Sequence, residues 1–306
     1  MLLRWMERVE LSQRLDWDTD GRDWPNRAHS HFVKAAGLNW HVQQFGLTHA
    51  TEFNPKRILL LHGTGSSSHS WRDVAPLLAL RYQVLAIDLP GHGFTSMPAS
   101  EEQSLNGMAR KVGELLRVMS FTPTLVIGHS AGAAVAARMV LDGAVTPTAV
   151  VSLNGAFLGF GGLAGQLFSP IARLLSAGSF AARFFAWQAT DYSVVEKLVR
   201  STGSVLDPLG MKLYAQLVRN PTHVSAALAM MANWNLDALE RDLPQLTLPI
   251  WLVAAENDLT VPPSQATQVA RLLSNARQVV WPMLGHLAHE ESPTQCVRLI
   301  DEVMQS

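Results

Sequence analysis

Six short apolar runs constrain this fold more than any other feature: "RILLLH" (57–62), "YQVLAID" (82–88), "TLVIGH" (124–129), "AVVSLNG" (149–155), "IWLVAAEND" (250–258) and "ARQVVWPM" (276–283). Most of them run apolar without alternating, the pattern of strands buried on both faces, and such strands belong to parallel sheets covered by helices. The intervening stretches supply the helices: "SWRDVAPLLALR", "SLNGMARKVGELLRVMS", "AGAAVAARMVLDG" and, at the end, "SPTQCVRLIDEVMQS". Ser104 and Ser292 stand where N-caps belong, and Gly143 stops the third. Strand and helix in alternation imply right-handed βαβ units, hence an α/β fold with one mostly parallel sheet and helices on both faces. Ahead of them, "HFVKAAGLNWHVQQFG" reads as an antiparallel hairpin turning at Gly37, with Trp40, Val42 and Gln44 on one face and His41 and Gln43 on the other.

One interval breaks the alternation. From 156 to 248 the pattern is helical and rich in Phe, Leu, Met and Ala, which predicts a helical lid or cap inserted over one end of the sheet. The expected organisation is therefore an N-terminal arm (1–30), a core (31–155 and 249–306) and the insertion (156–248). In the arm, Leu2, Leu3, Met6, Leu11 and Leu15 lie among charges. That spacing suits an amphipathic helix for a membrane surface or partner, a helix packed on its own domain, or a disordered tail.

Charge and composition exclude several classes. Acidic residues number 25 and basic ones 24, with no block of like charge, so the basic footprint that nucleic acid requires is missing. No window reaches the uninterrupted apolar length of a membrane span, and any membrane association is expected to be peripheral. The N-terminus lacks the apolar core and cleavage site of a secretory leader, and the single Cys296 has no internal disulfide partner. A reducing cytoplasm is the expected compartment, with Cys296 a buried thiol in the last helix.

The chemistry centres on "LVIGHSAGAA" (125–134). A strand runs into Gly128-His129-Ser130-Ala131-Gly132 and then into an alanine-rich helix, the strand–turn–helix setting of a nucleophile elbow. Serine is a poor nucleophile until a base takes its proton and a carboxylate orients that base. Downstream, Asp258 closes the run "IWLVAAEND" at the strand edge where such folds build their sites, and Glu256 is the fallback acid. His286, after Gly285 in "LGHLAHEESP", is the expected base. His289, three residues on, raises the thought of a metal pair, but no metal is expected without an HExxH pattern or a cysteine cluster; a bond to the start of the final helix is its expected role. His129 is expected to pack in the elbow, and His223 to line the pocket or cap a helix. Oxyanion donors are expected from the Thr64 and Ala131 amides, Thr64 lying in the small-residue loop "HGTGSSSHSW". That loop lacks the Lys-Ser/Thr ending of a phosphate cradle, and no cofactor is expected.

Taken together, "LLHGTG", "DLPGHGFT", "GHSAG", "AAENDLTVPP" and "LGHLAHEESP" resemble the α/β-hydrolase superfamily in content and order along nearly the whole chain. That resemblance implies a Ser-Asp-His triad of Ser130, Asp258 and His286. A serine at the elbow argues against haloalkane dehalogenases and epoxide hydrolases, relatives that carry aspartate there. Further stretches, among them "DWPNR", "LNWHVQ", "LFSPIARLL" and "PTHVSAALAMMANWNL", resemble the BchO family, accessory proteins of magnesium chelatase in bacteriochlorophyll biosynthesis. The implied setting is magnesium insertion into a porphyrin in a phototrophic bacterium, with a magnesium chelatase contact among its partners. Two functions follow as expectations: an esterase-like serine hydrolase, or a non-catalytic porphyrin-binding or chaperone-like accessory protein. Phe157, Phe185, Met231 and Trp234 of the insertion are the expected substrate contacts, and their composition suits a small apolar or porphyrin-like ligand.

Overall fold

The structure is a computed structural model in which residues 14–46, 55–159 and 179–305 are described, apart from the side chains at 179–181 and 185. Eight strands form one sheet: β1 (Ser30–Ala35), β2 (Leu38–Phe45), β3 (Arg57–Leu61), β4 (Gln83–Ile87), β5 (Leu125–His129), β6 (Ala149–Leu153), β7 (Ile250–Ala255) and β8 (Ala276–Trp281). Their order is β1-β2-β4-β3-β5-β6-β7-β8. β2 pairs antiparallel with both β1 and β4, while β4-β3-β5-β6-β7-β8 is parallel throughout. All six runs read from the sequence are strands; five end before their run does, leaving residues for the loops at the carboxyl edge, while β5 runs to His129, directly before Ser130.

The helices in chain order are α1 (Val74–Leu78), α2 (Leu105–Val118), α3 (Ala131–Leu141), α4 (Ser179–Gln188), α5 (Tyr192–Arg200), α6 (Pro208–Val218), α7 (Pro221–Ala232), α8 (Asp237–Asp242), α9 (Ser264–Leu272), α10 (Ala288–Glu291) and α11 (Pro293–Gln305). Ser104 caps α2 by accepting the Gly107 amide. The first expected helix is cut to one turn of 3-10 helix and the short α1.

The apolar runs do not alternate because each face of the sheet has its own core. Leu59, Leu61, Val126, Val150 and Leu252 face α2 and α3, whereas Ile58, Leu60, Ile127, Val151 and Val253 face α1 and α11. Cys296 is fully buried in the second cluster, and burial raises its thiol far above the ordinary range. At full burial each Leu or Ile side chain contributes roughly 1.5–3 kcal/mol, which makes these two layers the main source of stability.

The hairpin forms as read, with one difference. His41 and Gln43 are buried as fully as Trp40 and Val42, because residues 14–29 lie over the outer face of β2. Trp17 packs on His41 with ring centres 4.9 Å apart, and Gln43 Nε2 donates to Pro25 O at 2.7 Å. This part of the arm is turns and a short 3-10 helix; residues 1–13, which hold most of the amphipathic pattern, lie outside the described residues. Leu15 and Trp24 join Phe94 to Leu213 and Leu217 of α6, so the arm ties the core to the segment between β6 and β7. In that segment the described residues form the helices α4 to α8 and no strand.

Asp88 fixes the edge on which the loops gather. Its carboxylate is fully buried and accepts from the Ser68 amide (2.7 Å), the Phe94 amide (2.9 Å) and His41 Nδ1 (2.8 Å). Burial alone would raise this carboxyl; the His41 ring and the amide donors hold it below the usual carboxylate range. Asp88→Ala would leave these donors buried and unpaired, so it is expected to cost about 3–5 kcal/mol of unfolding free energy, measured by urea denaturation.

Candidate active site

Ser130 sits between β5 and α3 with φ 52° and ψ −118°, a backbone region that L-residues rarely occupy. Its amide donates to Leu153 O at 3.0 Å, and its carbonyl accepts from Ala133 and Ala156 at 3.1 Å each. The flanking glycines are there for close approach. A Cβ at Gly128 would stand 2.4 Å from Ala133 N, and one at Gly132 would stand 2.4 Å from Leu61 O. The turn therefore drives α3 against the sheet and leaves Ser130 at the carboxyl edge, at the positive end of an eleven-residue helix.

Asp258 and His286 come together across that edge, with His286 Nδ1 2.7 Å from Asp258 Oδ2 and both side chains buried. Asp258 is held from its other oxygen, since Oδ1 accepts the amides of Thr260 (2.8 Å) and Val261 (2.9 Å). A carboxylate fixed in this way selects the tautomer with the proton on Nδ1 and leaves Nε2 as the acceptor. The fallback Glu256 is exposed and accepts from the Met283 amide instead.

His286 reaches the elbow through its backbone. His129, beside Ser130, donates from Nε2 to His286 O at 2.9 Å, with the two rings 4.7 Å apart. Asn154 was not singled out from the sequence, yet its Nδ2 donates to Gly285 O (3.1 Å) and His286 O (2.8 Å) while its Oδ1 accepts the Ala255 amide (2.7 Å). It has φ 48°, and the sequence signal for it was an Asn-Gly pair at a strand end, which favours the left-handed turn. A second unforeseen brace comes from the turn after α5, where Thr202 O accepts both the Leu259 and His286 amides at 3.2 Å. Ser204 Oγ accepts the Leu287 amide at 2.8 Å. Backbone carbonyls and a lone serine leave no mark in a sequence.

The loop after β3 closes over the other side of Ser130. A Cβ on Gly63 would stand 3.0 Å from Ser130 Cβ, and among the described residues neither the Thr64 amide nor the Ala131 amide donates a hydrogen bond. His62 anchors the loop, donating from Nδ1 to Gly63 O (2.8 Å) and accepting the Leu89 amide at Nε2 (2.8 Å). Thr64 Oγ1 donates to Met230 Sδ at 3.5 Å, so Met230 meets this loop, while Met231 is half-buried nearby in sequence.

The remaining expected contacts divide. Phe157 is fully buried in the core cluster that includes α3, and Trp234 is half-buried and packed against the same cluster. The Phe185 side chain lies outside the described residues. His289 departs from its expected bond to the final helix: its ring lies tilted against Trp71 and His129, with ring centres 4.5 Å and 4.6 Å apart, and neither nitrogen bonds a described group. Among the described residues no group of three or more His, Cys, Asp or Glu is placed to hold a metal ion. No helix of the described residues is long and apolar enough to cross a membrane.

The profile of the alpha/beta hydrolase family matches residues 58–299, and the chain belongs to that family. Within it, the chain is 36% identical over 271 residues to the magnesium-chelatase 30 kDa subunit of Rhodobacter capsulatus, covering 88% of this chain and 92% of that one. The fold is shared with an esterase from Exiguobacterium antarcticum (TM-score 0.72, 17% identity, covering 90% and 99% of the two chains). It is likewise shared with the enol-lactonase from Burkholderia xenovorans LB400 (TM-score 0.72, 17% identity, covering 90% and 100%).

Buried histidines make the folded state sensitive to acid. Burial pulls His223 down to about 4 and His289 down to about 3, and it lowers His62 and His129 as well. An unfolded chain protonates these rings near pH 6.5 while the fold keeps them neutral, so below about pH 6.5 the unfolded state binds more protons. Stability is expected to fall between about pH 6.5 and pH 4, by up to about 1.4 kcal/mol per pH unit each for His223 and His289, with His62 and His129 acting in the same direction. Urea midpoints at about pH 7 and pH 5 measure it, and equal midpoints would contradict this electrostatic reading.

Proposed function

We propose that the chain is a serine hydrolase acting on an apolar ester or related carbonyl compound, working in magnesium-porphyrin and bacteriochlorophyll biosynthesis. The observation that carries this reading is the buried His286–Asp258 contact at 2.7 Å, tied through His129 to an elbow whose serine is held at φ 52°. In the proposed reaction Ser130 Oγ attacks the carbonyl carbon as His286 Nε2 takes its proton. Asp258 orients the ring and stabilises the imidazolium, and the Thr64 and Ala131 amides receive the negative oxygen. Collapse of the tetrahedral intermediate expels the leaving group, protonated by His286, and leaves an acyl-serine. Water, deprotonated by His286, then attacks this ester, and collapse of the second tetrahedral intermediate frees the acid as His286 returns the proton to Ser130 Oγ.

The substrate class rests on the insertion as a lid over the carboxyl edge. Met231 and Trp234, both half-buried, are the proposed apolar lining, Phe157 belonging to the buried core instead, and a porphyrin or porphyrin ester would suit it. The biosynthetic setting and a magnesium chelatase contact rest on the likeness to the Rhodobacter capsulatus subunit. That relative's name also favours a second reading, in which the fold binds a porphyrin or assists the chelatase without catalysis.

Ser130→Ala separates the two. Removing one oxygen from the elbow opens no large cavity, so the variant is expected to fold and yet fail to restore pigment synthesis to a deletion strain. Full complementation at native expression would leave the accessory role standing alone. Within the hydrolase reading, a fluorophosphonate should label Ser130 and lose that reactivity with His286→Ala. Asp258→Asn should lower turnover of an accepted ester roughly 10³–10⁴-fold, as loss of a triad acid does elsewhere. Glu256→Gln should leave it unchanged.

A further inference from the structure

The first turn of α7 meets two loops of the carboxyl edge, the one after β3 (63–66) and the one after β4 (89–96). Asn220 caps this helix by accepting the His223 amide at 3.0 Å, so the His223 ring is not needed for the cap. The ring instead joins the two loops: Nδ1 accepts the Gly93 amide at 3.1 Å, and Nε2 donates to Gly65 O at 3.0 Å. These bonds require a neutral imidazole with its proton on Nε2, and burial favours the neutral form. The same helix lies on both loops through small residues. A Cβ on Gly91 would stand 2.8 Å from Ala226 Cβ, and one on Gly65 would stand 4.0 Å from Ala227 Cβ. Met230, one turn further on, receives the Thr64 hydroxyl. From α6, Tyr214 adds a second hold, its hydroxyl 3.2 Å from Ser66 Oγ and donating to the buried Glu290 at 2.8 Å.

The insertion thus grips the residues that immediately follow Thr64, by Gly65 O and by Ser66 Oγ. A cap that only shields a site needs apolar contact. A buried imidazole bonded to two separate backbone segments, neither of them its own helix, specifies their relative position.

We propose that His223 is a positioning residue that couples the seating of α7 to the oxyanion loop. With α7 seated, Gly65 O is held and the Thr64 amide faces the reacting carbonyl; with α7 lifted, the loop is released and the oxyanion loses a donor. The inference rests on the reading of Thr64 as an oxyanion donor, and it makes the lid a condition for catalysis.

Two amide replacements divide the roles of the ring. His223→Gln places a donor near Nε2 and keeps the bond to Gly65 O, whereas His223→Asn reaches only as far as Nδ1 and keeps an acceptor for Gly93. His223→Leu keeps neither. With p-nitrophenyl butyrate and a fluorophosphonate as probes, kcat and labelling rate are expected to fall about tenfold to a hundredfold in the Asn and Leu variants. KM should stay within about twofold, and the Gln variant should recover most of the loss. Hydrogen exchange of the 62–70 peptide is expected to quicken in the Asn and Leu variants but not in the Gln variant, while β6 stays protected. Wild-type rates and wild-type exchange in the Asn and Leu variants would overturn the coupling, as would equal losses in Gln and Asn that follow melting temperature alone. If the wild type reacts with neither probe, the hydrolase reading fails, and the exchange pattern by itself decides whether His223 holds the loop.

Discussion

Ser130 holds its left-handed backbone at a cost of order 1–3 kcal/mol, and the surrounding fold leaves it little alternative. Its amide is taken by Leu153 O, its carbonyl by the Ala133 and Ala156 amides, and the glycines on either side admit no side chain between α3 and the sheet. Relaxing φ would break the junctions of β5 with α3 and with the chain leaving β6 together. The serine is consequently carried by the most buried strands of the core, and the rest of the site is placed by reference to it. Gly63 approaches from β3, His286 from the loop after β8, and Asp258 from the loop after β7.

The groups around this point are kept in defined protonation states by burial and by directed bonds. His62 is bonded at both nitrogens, with the proton on Nδ1, and His223 at both, with the proton on Nε2. His129 donates from Nε2 to the backbone of His286. Neutral imidazoles in this setting act as short rigid spacers between loops, cheaper to bury than charged groups and directional at two ends. Asp88 plays the matching part as a buried anion, gathering amides from two loops and the His41 ring. The segment between β6 and β7 enters the same network through Thr202 and Ser204 on the acid and histidine loops, and through His223 and Tyr214 on the loop after β3.

Much of this was legible before any coordinates. Runs such as "RILLLH" announce their burial because a strand covered on both faces tolerates no polar alternation, and Gly-x-Ser-x-Gly after such a run marks an elbow because its glycines have a steric duty. Asp258 could be picked out because it lies three residues beyond the end of β7, in the loop at the carboxyl edge, whereas Glu256 directly follows the last paired residue and is exposed. Asn154, Thr202 and Met230 were not legible. Their parts depend on where distant loops come to rest, and one of them acts through its carbonyl, which every residue has. His223 was visible as a histidine near a helix start, but its two partners lie 130 and 158 residues away. The full burial of His41 and Gln43 was hidden for the same reason: their cover comes from a part of the arm that has no periodicity of its own.

We propose that Ser130, the Thr64 and Ala131 amides and the His286–Asp258 pair form one acyl-transfer site. This is tested most directly by a crystal structure of the protein after reaction with a fluorophosphonate. The expected adduct is a phosphonyl group on Ser130 Oγ whose P=O oxygen lies roughly 2.7–3.1 Å from both the Thr64 and Ala131 amides, with His286 Nε2 facing the reacted oxygen. An adduct whose oxygen points away from both amides, or an unmodified Ser130 in protein shown to be folded and open to the reagent, would contradict it.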